Sequence, residues 1–224
     1  MRNIAVFSII LALAVIFNGC SKDNYDPPKS FLKGNVVYNG TPVGVRSNGT
    51  QLELWQYGYQ LRSKIAVYIA QDGSYSAKVF DGDYKLVRLK GGPWEDQTDT
   101  INVTVSGLTQ VDVPVTPYFT ISGATISVSG GVLTSSCTVT KTGTKNIQSL
   151  TLYAGITNIV DANNNSQTNT TSASGLADLS TPKTNTITLS TANAARDFIY
   201  ARIGVQISGV GERFYTPVQK ISLK

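Results

Sequence analysis

The sequence predicts an all-β protein built from two consecutive β-sandwich domains. Three observations predict it. From Phe31 onward, apolar residues alternate with polar ones instead of recurring at helical spacing. Between the alternating runs stand Asn39-Gly40, Asp72-Gly73, Asp81-Gly82, Gly91-Gly92-Pro93 and Ser106-Gly107. Asn-Gly and Asp-Gly accept positive φ readily, as tight hairpins demand. Only 15% of the residues are charged, and Thr, Ser, Asn and Gly abound, which suits sheets with neutral polar faces.

The N-terminus has a different character. Arg2 precedes an apolar run from Ile4 to Phe17, interrupted only by Ser8 and closed by Asn18-Gly19-Cys20. As a helix this run would span roughly 21 Å against a bilayer core of about 30 Å. It is too short to span and has the length of a signal-peptide core. A cysteine after a small residue at this place resembles the lipobox of bacterial lipoproteins. The resemblance implies a signal peptide over 1–19, cleavage before Cys20, lipidation of Cys20 and a chain anchored to a membrane. Residues 20–30 form the lipidated end and a tether, because SKDNYDPPK is polar and its adjacent prolines favour extended backbone. Ser21-Lys22-Asp23 resembles the export signal of Bacteroidetes surface lipoproteins, so the expected location is the outer membrane, exposed at the cell surface.

The first domain is expected over 31–117. Strands are predicted near Leu32–Tyr38, Gln51–Tyr59, Lys64–Ala70, Ser74–Phe80, Tyr84–Leu89, Thr100–Val105 and Thr109–Thr116, a count that indicates a sandwich. Within it, GNVVYNGTPV, LELWQ and QDGSYSAKVFDGDYKLV resemble a carboxypeptidase-regulatory, transthyretin-like domain. That domain is an accessory module and implies no peptidase activity. In LELWQYGYQL a strand would point Trp55, Tyr57 and Tyr59 to one face and Leu52 and Leu54 to the other. The three rings either form a flat strip for stacking sugars, with Glu53, Gln56 and Gln60 nearby, or pack against the core or the neighbouring domain. Trp94 and Glu95, in the loop Lys90–Gln97, form a second candidate contact, unless Trp94 folds back as a plug. Asp99-Thr100-Ile101 fits the pattern on which Bacteroidetes attach O-glycans, which makes Thr100 a candidate modification site.

Val113-Pro114 and Thr116-Pro117 mark a junction that leaves few residues for a linker, so the domains should abut. The second domain is expected over 118–224, with strands near Tyr118–Ser129, Val132–Thr140, Ile147–Gly155, Thr184–Leu189, Ile199–Ser208 and Tyr215–Leu223. Thr157–Pro182 reads as a long polar loop with at most a helical turn near Leu176, and Ser190–Arg196 as one helical turn. Asp161, Asn163 and Asn165 mimic the opening of a calcium loop, but Ser166 and Ser172 replace its glycine and closing glutamate, so no metal site is assigned. Cys137 stands at an apolar position beside Val139 and reads as a buried small hydrophobe.

Several function classes are excluded. The chain has no histidine, which removes Ser-His-Asp and Cys-His catalysis and the usual zinc sites. Its carboxylates fall mostly in turns, with no pair suggested across a cleft. The Gly130-Gly131 pair lacks the lysine and helix of a phosphate loop. The net charge of +5 is scattered, with no basic stripe for nucleic acid. No enzyme activity and no cofactor are expected.

A wider resemblance covers nearly the whole mature chain. DNYDPP, GGPW, the DT-x-x-V-x-V pattern from Asp99, VTPY and RIGVQISG…FYTPVQKISL resemble an uncharacterised family of two-domain Bacteroidetes lipoproteins from polysaccharide-utilisation loci. There a fibronectin-III or Ig-like domain follows the transthyretin-like one. The resemblance implies a non-catalytic lipoprotein that assists glycan capture or uptake. It would act by binding carbohydrate or by docking to an outer-membrane transporter or a glycan-binding lipoprotein. The alternative is a structural or adhesive surface protein whose domains serve as spacers and protein-interaction modules.

Overall fold

The computed structural model describes residues 26–58 and 63–224. The expected signal peptide, Cys20, the first part of the tether, Tyr59 and Gln60 lie outside the described residues. Among those described, no helix is long and apolar enough to cross a membrane.

In the first domain, β1 (Ser30–Tyr38), β2 (Thr41–Pro42), β5 (Ser74–Val79), β8 (Leu108–Gln110) and β9 (Val113–Pro114) form one sheet centred on β1. Strand β1 runs antiparallel to β2 and β5 and parallel to β8 and β9. The facing sheet is antiparallel in the order β4 (Lys64–Tyr68), β3 (Gln51–Gln56), β6 (Gly82–Arg88), β7 (Ile101–Val105). Asn39 and Gly40 both take positive φ, at 49° and 77°, and close the β1–β2 hairpin with a turn whose twist matches the strands. Alternation sets the faces: Tyr75, Ala77 and Val79 of β5 turn inward, while Ser76 and Lys78 face water.

In the second domain, β10 (Phe119–Ser129), β11 (Val132–Lys141) and β14 (Lys183–Thr188) form one sheet. The other contains β12 (Ile147–Gly155), β13 (Gln167–Ser172), β15 (Phe198–Ile207), β16 (Arg213–Tyr215) and β17 (Gln219–Ser222). Strand β13 lies inside the stretch expected to be loop. Its sequence QTNTTS has no apolar face, and it is held by backbone pairing with β12 and by polar contacts such as Thr151 Oγ1 to Thr170 Oγ1 at 2.9 Å. The short helical turns at Ala173–Leu176 and Thr191–Ala194 stand where turns were expected. Cys137 is buried, and burial pushes its thiol up to about 11.

The domains abut and share packing. Phe214 of β16 leaves its own domain's core and joins the cluster formed by Leu32, Val43, Val45 and Trp94. Tyr215 N donates to the Gly44 carbonyl at 2.9 Å. Gly44 permits this approach, since a Cβ there would lie 2.3 Å from the Tyr215 carbonyl oxygen. Arg202 is fully buried, lies 4.2 Å from the centre of the Tyr215 ring, and donates from Nη1 to the carbonyls of Val45 and Val160. Arg46 and Glu212 close the seam with an ion pair at 2.5 Å.

Candidate functional site

Strand β3 is pinned on both sides, by β4 and β6, so its two faces are fixed. Leu52 and Leu54 are fully buried in the core. Glu53 between them and Trp55 beyond them turn outward, away from the sandwich interior. Trp55 is half-buried there, and Tyr57, just past the strand end, is 48% exposed. The register places Lys64 of β4 and Lys85 of β6 opposite Trp55. Trp55, Tyr57, Lys85, Val87 and Gln56 line a shallow depression of about 250 Å³.

The orientation of Trp55 has a physical cause. Its indole Nε1–H donates to Glu53 Oε2 at 3.1 Å, and the other oxygen of that carboxylate accepts from Lys64 Nζ at 2.6 Å. Glu53 is itself buried. Its charge is therefore compensated, and its oxygens are committed to holding the ring. Glu53 had been expected to offer hydrogen bonds to a ligand; the structure makes it the residue that positions Trp55. On the far side, Lys85 Nζ lies 5.2 Å from the centre of the Tyr57 ring, a cation–π distance.

Trp94 requires a correction. It is 1% exposed and part of the first domain's core, so it cannot stack on a ligand. The backbone on both sides is tied to the domain junction: Glu95 N donates to Thr116 O, Tyr118 N donates to Pro93 O, and Trp94 itself forms a bridge with Pro117. This clamp turns the indole inward as a plug over one end of the sandwich. Glu95 follows from the same geometry. Its Oε1 accepts from Thr144 N at 2.5 Å, a bond between domains. The pair nominated as a second contact site is thus a structural joint.

Thr100 is exposed in an irregular segment just before β7. Its neighbour Asp99 accepts from Arg88 Nη2 at 2.5 Å, and this contact holds the Asp99 carboxyl below the usual range. Asp161 is buried, and its carboxylate accepts from the backbone N–H groups of Asn163 and Asn164 and from the Asn164 amide. The loop is thereby closed on its own donors. No group of three or more His, Cys, Asp or Glu converges among the described residues.

Two family models describe the chain in succession. The N-terminal domain of DUF3823, a protein family of unknown function, matches residues 30–116, and the DUF3823 C-terminal domain of unknown function matches 119–220. The chain belongs to the DUF3823 family. A DUF3823 structure from Bacteroides ovatus is 36% identical, with a TM-score of 0.82 over 88% of this chain and 100% of that one. Another, from Parabacteroides merdae, is 32% identical with a TM-score of 0.81 over the same shares. A Bacteroides uniformis protein, described as a proposed carbohydrate-binding protein, shares the fold at 22% identity and a TM-score of 0.72, again over 88% and 100%. No curated protein matches the chain.

The DUF3823 assignment agrees with the two-domain family that the sequence resembles. The site contains residues that sequence reasoning passed over. Lys64, Lys85 and Val87 complete the surroundings of Trp55, but only the pairing of β3 with β4 and β6 brings them there. The one signal available in sequence was their period-2 phase within their own strands.

Proposed function

We propose that this protein is a non-catalytic, lipid-anchored lipoprotein of the outer membrane that holds glycan on the outer face of β3. One observation carries the reading: Trp55, at the end of β3, and Tyr57, just past it, line one shallow depression, and the hydrogen bond from Trp55 to Glu53 fixes the half-buried indole there. Sugars present flat C–H faces that pack on such rings, and Lys85 and Gln56 offer polar groups at the rim. The hydrogen bonds and ion pair described between the domains run through Gly44–Arg46 and Pro93–Glu95, at a distance in sequence from Trp55 and Tyr57. The description of the Bacteroides uniformis relative as a proposed carbohydrate-binding protein agrees with this reading.

A docking or spacer role is the second reading, and the shared packing at Phe214 favours it, because it makes the two domains a stiff unit. The two readings separate by affinity electrophoresis of Ser21–Lys224, which contains every described strand. The gels carry a panel of neutral and acidic polysaccharides. Retardation by at least one polysaccharide, abolished by Trp55→Ala, is expected. Unretarded migration in every gel would remove direct glycan capture and leave the docking role.

A further inference from the structure

The outer face of β3 continues onto a third aromatic residue that the reading above does not use. Tyr68 ends strand β4 and is 50% exposed. Antiparallel register sets Tyr68 opposite Gln51 and Lys64 opposite Trp55, so Tyr68 and Trp55 project from the same face. They lie four residues apart along the sheet, roughly 14 Å at about 3.4 Å per residue. Beyond Tyr68 the surface turns onto the other sheet of the first domain and opens into a groove of about 500 Å³, lined by Tyr68, Lys33, Asn35, Ser76 and Gln110 among others. Among the described residues, the Tyr68 hydroxyl, Ser76 Oγ and the Gln110 carboxamide make no hydrogen bond within the chain. Hydroxyl, carboxamide and ammonium groups beside one exposed ring supply both donors and acceptors for a polyol.

Charge on this face is sparse. Glu53 is closed by Lys64, and Asp83 stands two residues from Lys85 on the same side of β6. At the groove, Lys33 Nζ lies 5.2 Å from the centre of the Phe31 ring, and the Asp112 carboxylate accepts from Asn35 N at 2.9 Å. Each depression is lined by a single charged residue, Lys85 in one and Lys33 in the other, so neither offers the cluster of like charges that recognises a strongly charged chain; an uncharged one fits.

We propose that the Tyr68 groove is a second sugar subsite, and that the face takes a neutral, linear oligosaccharide running from Trp55 to Tyr68 rather than a single terminal sugar. The proposal rests on the glycan-binding reading of Trp55 and narrows it to one ligand class. The test is calorimetric titration of Ser21–Lys224 with malto-, cello-, xylo- and mannohexaose, the matching disaccharides, and polygalacturonate. At least one neutral hexasaccharide should bind about tenfold or more tighter than its disaccharide, a gain of about 1.4 kcal/mol. Tyr68→Ala should erase that gain without changing disaccharide affinity, and Trp55→Ala should weaken both. Equal affinity for the two lengths, or a hexasaccharide affinity indifferent to Tyr68→Ala, overturns the second subsite and leaves the Trp55 site standing. Binding of polygalacturonate alone overturns the neutral class. Binding of none of these probes, together with free migration in the polysaccharide gels, overturns both readings.

Discussion

Replacing Phe214 by Ala tests whether the two domains are thermodynamically one unit. Phe214 sits on a strand of the second domain, yet its ring is 9% exposed within the first domain's cluster. Its neighbour Tyr215 bonds to Gly44, and Glu212 pairs with Arg46, so the anchoring contacts on both sides survive the change. Truncating a buried Phe to Ala costs about 3–5 kcal/mol, part transfer and part cavity. For a chain of this size each kcal/mol moves Tm by about 2–4 °C, so the melting point should drop by roughly 6–20 °C. Differential scanning calorimetry of Ser21–Lys224 should show one transition before and after the change, with calorimetric and van't Hoff enthalpies in agreement. Two separated transitions, one of them unmoved by the substitution, would refute the coupling. A shift of under about 2 °C would show instead that the ring contributes nothing across the seam.

Gly44→Ala should destabilise the protein by about 1–3 kcal/mol, because its Cβ meets the Tyr215 carbonyl; denaturant unfolding reads the loss. Trp94→Ala should cost about 3–5 kcal/mol by the same assay, as a core truncation, while the folded fraction keeps whatever glycan affinity the parent has. Cys137 should resist a thiol reagent at pH 8 in the folded Ser21–Lys224 fragment and react on unfolding, since burial holds its thiol near 11; native labelling at the unfolded rate would contradict its burial. Asp72, Asp81, Asp99 and Asp197 all have carboxyls held below 3.8, by Ser74, Ser30, Arg88 and Lys224 respectively. The folded state therefore binds their protons less readily than the unfolded one, and their stabilisation is present above pH 3.8 and lost as pH falls below it. Tm followed by circular dichroism should accordingly hold near neutrality and decline on the acid side, and a Tm rising on acidification through that window would reverse the sign.

The architecture was legible because alternation is a local signal. Leu52 and Leu54 against Trp55 and Tyr57 can be read from six consecutive residues, and the structure sets the leucines in the core and the rings outside. Asn39-Gly40 announces its turn in the same way. The failures share one physical origin, dependence on distant partners. Strand β13 has no apolar face to announce it and is held by hydrogen bonds to β12 and by Asn185, which donates to Asn169. For Trp94 the sequence leaves both a ligand contact and an inward plug open, because the bridge that turns it inward comes from Pro117. Arg202 reads as an ordinary strand residue and Phe214 falls just before a predicted strand; their contacts reach the other domain, with Val45 lying 157 residues from Arg202. Glu53 was read as a ligand group because its partner Lys64 stands 11 residues away on another strand. Tyr68 was placed in a strand and its period-2 phase points it outward, but the groove beside it belongs to the other sheet.

The two tryptophans allow a spectroscopic test of the Trp55 site. Trp94→Phe leaves Trp55, half-buried on the outer face, as the only indole, whereas Trp55→Phe leaves Trp94 in the core. Titrating both variants with the polysaccharide that retards Ser21–Lys224 should give a saturable change in emission from the Trp55-only protein and none from the Trp94-only protein. A signal from Trp94 alone, or saturable binding that leaves Trp55 emission unchanged, would place the glycan elsewhere and contradict the account.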